Sequence, residues 1–268
     1  MTLFFPDHSL AQRLEFHEAW SSAEHARIQT QLHPETCASF ISIPGGAAVF
    51  CGKRSPLSAV YGLGMSGPVT SGELDRIEFF YRERGTATRV RLCRFADASV
   101  QPLLDERGYT VQDSMNVYLR TLDPMEERPM SLSGITVGIA TPKQARIWFE
   151  RQNAGGDWAE PDGITFMVIR SALKPGTHLF LAWYEGQPVA GGAVEIHEGI
   201  ASLMAADTLP AFRQRGLHSL LVRARLAAAR EAGCKIAVVQ TSPGAPSEGN
   251  VRRAGFQSAY TVQTIVSS

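Results

Sequence analysis

A turn with two arginines and a glycine, placed between a strand and a helix, is the part of this sequence best suited to chemistry. Residues 200–206 form a short apolar run that predicts a strand, and an Ala/Leu-rich helix is predicted from Leu217 to Ala232. The turn between them holds Arg213, Arg215 and Gly216. The first amides of a helix lack intrahelical partners and carry about half a positive charge. Glycine allows a close approach and guanidiniums donate forked hydrogen bonds, so the turn predicts a site for the phosphates of a cofactor.

The elements that position this turn alternate between strands and helices along the whole chain. Hydrophobic periodicity and turn residues predict strands at 39–43, 47–50, 58–63, 90–93, 135–139, 178–184, 189–196, 200–206, 235–240 and 259–266, with one more ending at Leu119. Helices are predicted at 10–32, 72–84, 100–106, 143–151, 164–172, 217–232 and 246–253. This order predicts a mixed α/β (α+β) fold.

A charged segment with two prolines, residues 123–134, divides the chain and predicts a linker. The domains are therefore predicted at 1–125 and 134–268. The two halves are alike, since the segments 82–85 and 106–109 resemble 230–233 and 253–256 in sequence and in the elements between them. We interpret this as a tandem duplication. The counterpart of the arginine turn, residues 64–68, has no arginine, so the first copy is predicted to have lost the anion site.

The composition makes several classes of partner and site improbable for this protein. The chain has 268 residues, with 26 basic and 26 acidic side chains and a formal net charge of zero, which disfavours nucleic acid and membrane surfaces as partners. No apolar run approaches the ~20 residues of a membrane helix, and the start does not resemble a secretion signal. The four cysteines stand apart from one another and from histidines, which predicts neither a disulfide framework nor a metal site and fits a cytoplasmic protein.

The second half resembles the GNAT acyltransferase superfamily. The signature of that family, Arg/Gln-x-x-Gly-x-Gly/Ala, corresponds to residues 213–218, although His218 stands where a small residue is usual. Thr208-x-Pro210 is similar to the Val-x-Pro that often precedes the signature, and residues 250–256 resemble the later part of the cofactor site. The resemblance implies two tandem GNAT-like domains, each a mixed, mostly antiparallel sheet flanked by helices, with a degenerate N-terminal copy.

The resemblance also implies acetyl-CoA as the co-substrate, and no metal. Ala206, Asp207 and Thr208 would offer main-chain contacts to the pantetheine arm, with one amide polarising the thioester carbonyl. The diphosphate would be held by Arg213, Gln214, Arg215, Gly216, Leu217, His218 and Ser219, and Asn250 would reach the pantetheine or the acetyl end.

The acid and base of the reaction are harder to assign. The family's usual tyrosine and mid-strand glutamate fall at Val251 and near Leu203, so we consider Glu195, Asp207 and Tyr260 as substitutes. Each has a structural alternative, because Glu195 could face solvent, Asp207 could only order the turn and Tyr260 could belong to the core.

The acceptor is implied to be a primary amine of a small molecule or peptide, which makes the chain an N-acetyltransferase. Asp157 and Glu160 could bind a cationic acceptor, and Trp158 could line its pocket. Two alternatives stay open: a non-catalytic CoA-binding regulatory or scaffold module, and a mycothiol-synthase-like tandem acyltransferase. The degenerate copy could shape the acceptor site or form the contact of a homodimer.

Overall fold

A computed structural model describes residues 6–123, 132–141, 143–145, 147–148 and 173–267. The chain divides into two compact units, one of Met1–Asn116 with Ala259–Ser268 and one of Val117–Ser258. These units differ from the predicted domains 1–125 and 134–268, because the end of the chain is part of the first unit. Asp157, Glu160, Trp158 and the predicted helix 164–172 lie outside the described residues.

The described part of the first unit is a sheet with three α-helices. Its elements are α1 (His8–Leu32), β1 (Ser39–Ile43), β2 (Gly46–Phe50), β3 (Ala59–Tyr61), α2 (Ser71–Arg82), β4 (Arg89–Cys93), α3 (Val100–Glu106), the start of β5 (Thr110–Thr121) and most of β11 (Gln257–Val266). The strands run in the order β1-β2-β3-β4-β11. Only β3 and β4 pair in parallel, and the other three pairs are antiparallel.

The second unit also combines a mixed sheet with helices. Its elements are the end of β5, β6 (Ile135–Ile139), β7 (Thr177–Tyr184), β8 (Gln187–His197), β9 (Ile200–Thr208), α4 (Leu217–Glu231), β10 (Ile236–Thr241) and α5 (Pro246–Arg253). The strands run in the order β5-β10-β9-β8-β7-β6, with β9 and β10 parallel and the pairs from β9 to β6 antiparallel. The predicted mixed α/β fold with mostly antiparallel sheets is confirmed.

Helix α4 supplies the core that fixes the second unit. Apolar residues three and four apart line one face of α4, and Leu217, Leu221 and Leu226 are buried against the sheet residues Val194 and Leu203. Burying each leucine contributes about 1.5–3 kcal/mol, so the start of α4 is held firmly against the strands that precede and follow it. Among the described residues, no helix combines the length and hydropathy needed to cross a bilayer.

Candidate functional site

A cleft opens where β9 and β10 stop pairing. Their parallel pairing covers only three residue pairs and ends at Ser202 and Val238, although β9 continues to Thr208 and β10 to Thr241. The diverging ends leave a cleft of about 880 Å³, closed by the starts of α4 and α5. Backbone groups of β9 beyond Ser202 therefore face the cleft on their β10 side rather than a neighbouring strand.

The backbone of the arginine turn is shaped to present amides to this cleft. Gln214 and Gly216 have φ angles of 62° and 79°, in the left-handed region that glycine adopts without strain. The first hydrogen bond of α4 runs from the amide of Leu220 to the carbonyl of Gly216, over 3.0 Å. The amides of Leu217, His218 and Ser219 come before that bond, and all three residues line the cleft. This geometry suits an anion.

The two arginines of the turn have different surroundings. Arg213 lines the cleft, where its Nε donates to the carbonyl of Thr208 over 3.1 Å and its Nη2 lies 3.8 Å from Oδ1 of Asp207. Arg215 is not among the residues that line the cleft, and its guanidinium lies over the Phe212 ring, 5.2 Å from the centroid. Arg213 is therefore better placed than Arg215 to contact a bound diphosphate.

The surroundings of His218 favour its neutral form. Burial lowers the pKa of His218 below its usual value, and the guanidiniums of Arg225 and Arg253 lower it further. A neutral imidazole ring adds no positive charge beside the positive, N-terminal end of the α4 dipole.

The structure brings most of the predicted cofactor residues together. Those that line the cleft are Ala206, Asp207, Thr208, Arg213, Gln214, Gly216, Leu217, His218, Ser219 and Asn250. Asn250 lies on α5, and its Oδ1 accepts a hydrogen bond from Nη2 of Arg253.

Only one of the three predicted acid or base residues, Asp207, lines the cleft. Glu195 is fully buried, where it forms an ion pair with the ammonium of Lys174 and accepts a hydrogen bond from Thr177 Oγ1 over 3.4 Å. The alternative interpretation, in which Glu195 faces solvent, is therefore wrong as well. Side chains alternate along a strand, and the adjacent Val194 packs in the core with α4, so Glu195 points to the opposite face of the sheet.

Tyr260 lies in the first unit and does not line the cleft. Its side chain is buried, and its hydroxyl donates to Oε1 of Glu15 over 2.9 Å. The structure therefore agrees with the alternative interpretation, in which Tyr260 is a core residue. Burial raises the pKa of Tyr260 far above its usual value, so its hydroxyl stays protonated.

Sequence analysis missed Arg225, a buried cation that lines the cleft. Its exposed fraction is 1%, and burial lowers the pKa of its guanidinium to about 10. It lies four residues after Leu221 and eight after Leu217, on the apolar face of α4. A charged side chain at helical spacing within such a stripe was the available signal.

Comparison with known protein families finds a match within the second half of the chain. Residues 144–256 match the Acetyltransferase (GNAT) family. The GNAT match contains the whole arginine turn and every described residue that lines the cleft, whereas Tyr260 lies beyond it.

Solved GNAT structures share the fold of the chain. The GCN5-related N-acetyltransferase from Kribbella flavida is similar with a TM-score of 0.63 and 19% identity, covering 92% of this chain and 95% of that chain. The GCN5-related N-acetyltransferase from Sphaerobacter thermophilus has a TM-score of 0.56 and 17% identity, covering 73% and 66%. A tandem GNAT protein from the clavulanic acid biosynthesis pathway has a TM-score of 0.57 and 11% identity, covering 74% and 68%. No curated protein sequence matches this chain.

Proposed function

We propose that this protein is an acyltransferase that moves the acetyl group of acetyl-CoA to a primary amine of a small molecule or peptide. One observation carries the proposal: the amides at the start of α4 line a cleft that the diverging strands β9 and β10 open. A diphosphate at those amides would leave the rest of the co-substrate to extend along β9, whose backbone can pair with an amide-containing arm.

The reaction needs positioning and proton transfer rather than a metal. The amine gives up a proton, its nitrogen bonds to the thioester carbonyl carbon, the carbon–sulfur bond breaks, and the thiolate leaves and takes up a proton. An amide of residues 206–208 would stabilise the negative charge that develops on the carbonyl oxygen. Asp207 lines the cleft and is the residue we propose as the base.

The co-substrate site is tested by Gly216→Glu. The φ angle of Gly216 is 79°, and a carboxylate there would stand among amides that are proposed to bind phosphate. We expect CoA binding, measured by titration calorimetry, to weaken by at least about 100-fold, which corresponds to about 2.7 kcal/mol.

Gly186→Glu is the matched control, because Gly186 has a φ angle of 74° in the hairpin between β7 and β8 and does not line the cleft. This variant should bind CoA like the wild type. Equal affinity in the Gly216→Glu variant would overturn the assignment of the diphosphate site.

A CoA-binding module without turnover is the second candidate. The observation in its favour is that neither Glu195 nor Tyr260 lines the cleft, which leaves Asp207 as the only predicted acid or base there. Thiol release from acetyl-CoA in the presence of a broad panel of primary amines separates the two. Saturable CoA binding with release no faster than the uncatalysed rate would favour the module.

The first unit is proposed to be a degenerate copy of the second. In each unit a parallel strand pair is joined through a helix, β3-α2-β4 in the first and β9-α4-β10 in the second, which supports a duplication and a tandem GNAT protein. We also keep two further proposals: that the protein catalyses a mycothiol-synthase-like acyl transfer, and that it forms a homodimer. The four cysteines are free thiols, which supports the cytoplasm as the place of the reaction.

A further inference from the structure

Arg225 lies deep in the cleft, away from the amides that are proposed to hold the diphosphate. It is the ninth residue of α4, which at 1.5 Å per residue places it about 12 Å along the helix from Leu217. Its side chain is 1% exposed, lines the cleft and donates to backbone carbonyls of β8 and β9. A guanidinium at this depth is unsuited to a diphosphate bound at the start of α4.

The guanidinium uses only part of its hydrogen-bonding capacity. Nε donates to the carbonyl of Leu221 over 3.1 Å, and Nη1 donates to the carbonyls of Ala193 and Met204 over 3.1 and 3.3 Å. Among the described residues, Nη2 has no acceptor. An arginine has five N–H donors, so one nitrogen with two donors is left for a ligand.

A glycine on β8 makes room for this side chain. A Cβ atom on Gly192 would lie 3.0 Å from both Cζ and Nη1 of Arg225 and 3.3 Å from Nε. The register between β8 and β9 shifts between Gly191 and Ala193, and Ala205 has a φ angle of 52° opposite this shift. The irregularity frees carbonyls that the guanidinium binds, so the strands and the arginine fix each other's position.

The charge of Arg225 meets no counter-charge among the residues that the structure describes. Within the described part of the chain, no carboxylate forms an ion pair with Arg225, and burial alone shifts its pKa. Burying a charge without a counter-charge is unfavourable, and a bound anion would offset this cost. By contrast, Arg213 at the mouth of the cleft is exposed and has Asp207 beside it.

We propose that Arg225 binds a carboxylate that one of the two substrates of the acyl transfer brings into the cleft. This inference rests on the proposed function and names the chemical class of substrate at the same site. A guanidinium nitrogen with two free donors matches a carboxylate oxygen. The carboxylate belongs either to a dicarboxylic acyl group, as in succinyl-CoA, or to an amino-acid acceptor with a free α-carboxyl group. In both cases the carboxylate keeps its charge and only the thioester carbon reacts.

The experiment compares matched ligands that differ in one carboxylate. The donor arm measures Kd for succinyl-CoA and for acetyl-CoA, each divided by the Kd of CoA, which serves as the internal reference. The acceptor arm measures kcat/KM for L-amino acids and for their carboxamides, which carry the same primary amine. We expect the wild type to prefer the carboxylate in one arm by about tenfold or more, and the arm that responds identifies the source.

Two variants test whether Arg225 causes the preference. Arg225→Met removes the charge, and Gly192→Ala keeps the charge but presses on the guanidinium. Both should bring the preference close to one, and the Gly192→Ala result stands if Arg225→Met fails to fold.

Three outcomes would overturn the inference, and they can be distinguished from one another. A wild type without a carboxylate preference in either arm overturns the inference, while CoA binding and thiol release leave the proposed function intact. Variants that weaken carboxylate and neutral ligands by the same factor overturn it too, because Arg225 would then only support the strands. Failure of the wild type to bind CoA overturns the proposed function together with the inference.

Discussion

At the scale of single residues, burial decides what Glu195 can do. Its carboxylate and the ammonium of Lys174 are almost completely withdrawn from solvent, with side-chain exposed fractions of 0% and 3%. A base for an incoming amine needs access to the substrate, and this carboxylate is committed to an ion pair inside the protein. We therefore interpret Glu195 as a structural residue.

Removing this carboxylate should destabilise the protein. Glu195→Gln removes the carboxylate that forms an ion pair with the buried Lys174, and we expect the free energy of unfolding to fall by about 3–5 kcal/mol in urea denaturation. The double variant Lys174→Met/Glu195→Leu removes both charges and should recover most of the loss. A changed pH–rate profile at unaltered stability would instead return Glu195 to the reaction.

Asp207 is expected to act on kcat. If Asp207 takes the proton of the amine, Asp207→Asn should lower kcat by about 10²–10⁴ with a smaller change in KM, measured by thiol release. Arg213→Gln removes the neighbouring guanidinium and should instead raise KM for acetyl-CoA. If both variants raise KM and leave kcat unchanged, Asp207 only orders the turn.

The sequence could predict the arginine turn but not the deeper part of the cleft. The turn is local, since Arg213, Gly216 and the start of α4 are neighbours in the chain, and local chemistry is visible in a sequence. Glu195 depends on which face of β8 is covered and by what, which strand periodicity leaves open. The charge of Arg225 within the apolar stripe of α4 is visible in the sequence, but its place in the cleft depends on a register shift between two strands that no sequence pattern marks.

At the scale of elements, the site is a consequence of how far two strands pair. Sequence periodicity predicts β9 and β10 as strands, yet their pairing ends after three residue pairs and their ends diverge. The bulge between β8 and β9 and the gap between β9 and β10 lie at the same level of the sheet. The cleft therefore depends on the glycine pair of β8 as well as on the turn.

Gly191 is expected to be sensitive to a single added methyl group. A Cβ atom there would lie 2.6 Å from Nε1 of the fully buried Trp148 and 3.0 Å from Cδ2 of Leu181. Overpacking of this kind costs about 1–3 kcal/mol, so Gly191→Ala should lower the midpoint of urea unfolding. Gly138→Ala on β6 is the control, because its Cβ would meet nothing closer than 3.8 Å. A midpoint shift of the same size in both variants would contradict the proposed crowding.

At the scale of the whole molecule, the last strand belongs to the first unit. Residues 262–266 of β11 pair with 89–93 of β4, and Ile265 is buried in the core of the first unit. Sequence analysis predicted this strand and assigned it to the second domain. A strand pattern gives no information about its partner, so the linear boundary at 134–268 was the simplest interpretation.

Truncating one core residue in each unit should separate their effects. Ile265→Ala and Leu226→Ala each remove buried apolar contacts, at a cost of about 2–5 kcal/mol. Hydrogen exchange followed by mass spectrometry should show faster exchange in residues 6–116 for the first variant and in 173–258 for the second. Loss of protection in 173–258 alone for Ile265→Ala would place β11 with the second unit.

The stability of the first unit should fall as the pH rises. Burial raises the pKa of Glu15 to about 7, and the hydrogen bond from Tyr260 and the charge of Arg91 only partly oppose this. An unfolded glutamate titrates near 4.3, so between about pH 4 and 7 the folded state holds a proton that the unfolded state has released. Stability is therefore highest below this window and is lost across it.

Glu15→Gln cannot ionise and should remove this dependence. We expect the loss of unfolding free energy between pH 5 and pH 8 to shrink by about 1–3 kcal/mol in urea titrations. Glu106→Gln, on the exposed side of α3, should leave the dependence as in the wild type. If the unfolding free energy of both variants depends on pH in the same way, Glu15 is not the cause of the dependence.

The position of β11 also sets an order for biosynthesis. A ribosome must add all of residues 117–258 before it reaches the strand that pairs with β4, which takes on the order of ten seconds. During that delay the nascent polypeptide exposes an unpaired edge of β4, and such edges invite aggregation. Maturation of the first unit is therefore the later event, and we expect a chaperone that shields exposed strands to raise the yield of native protein.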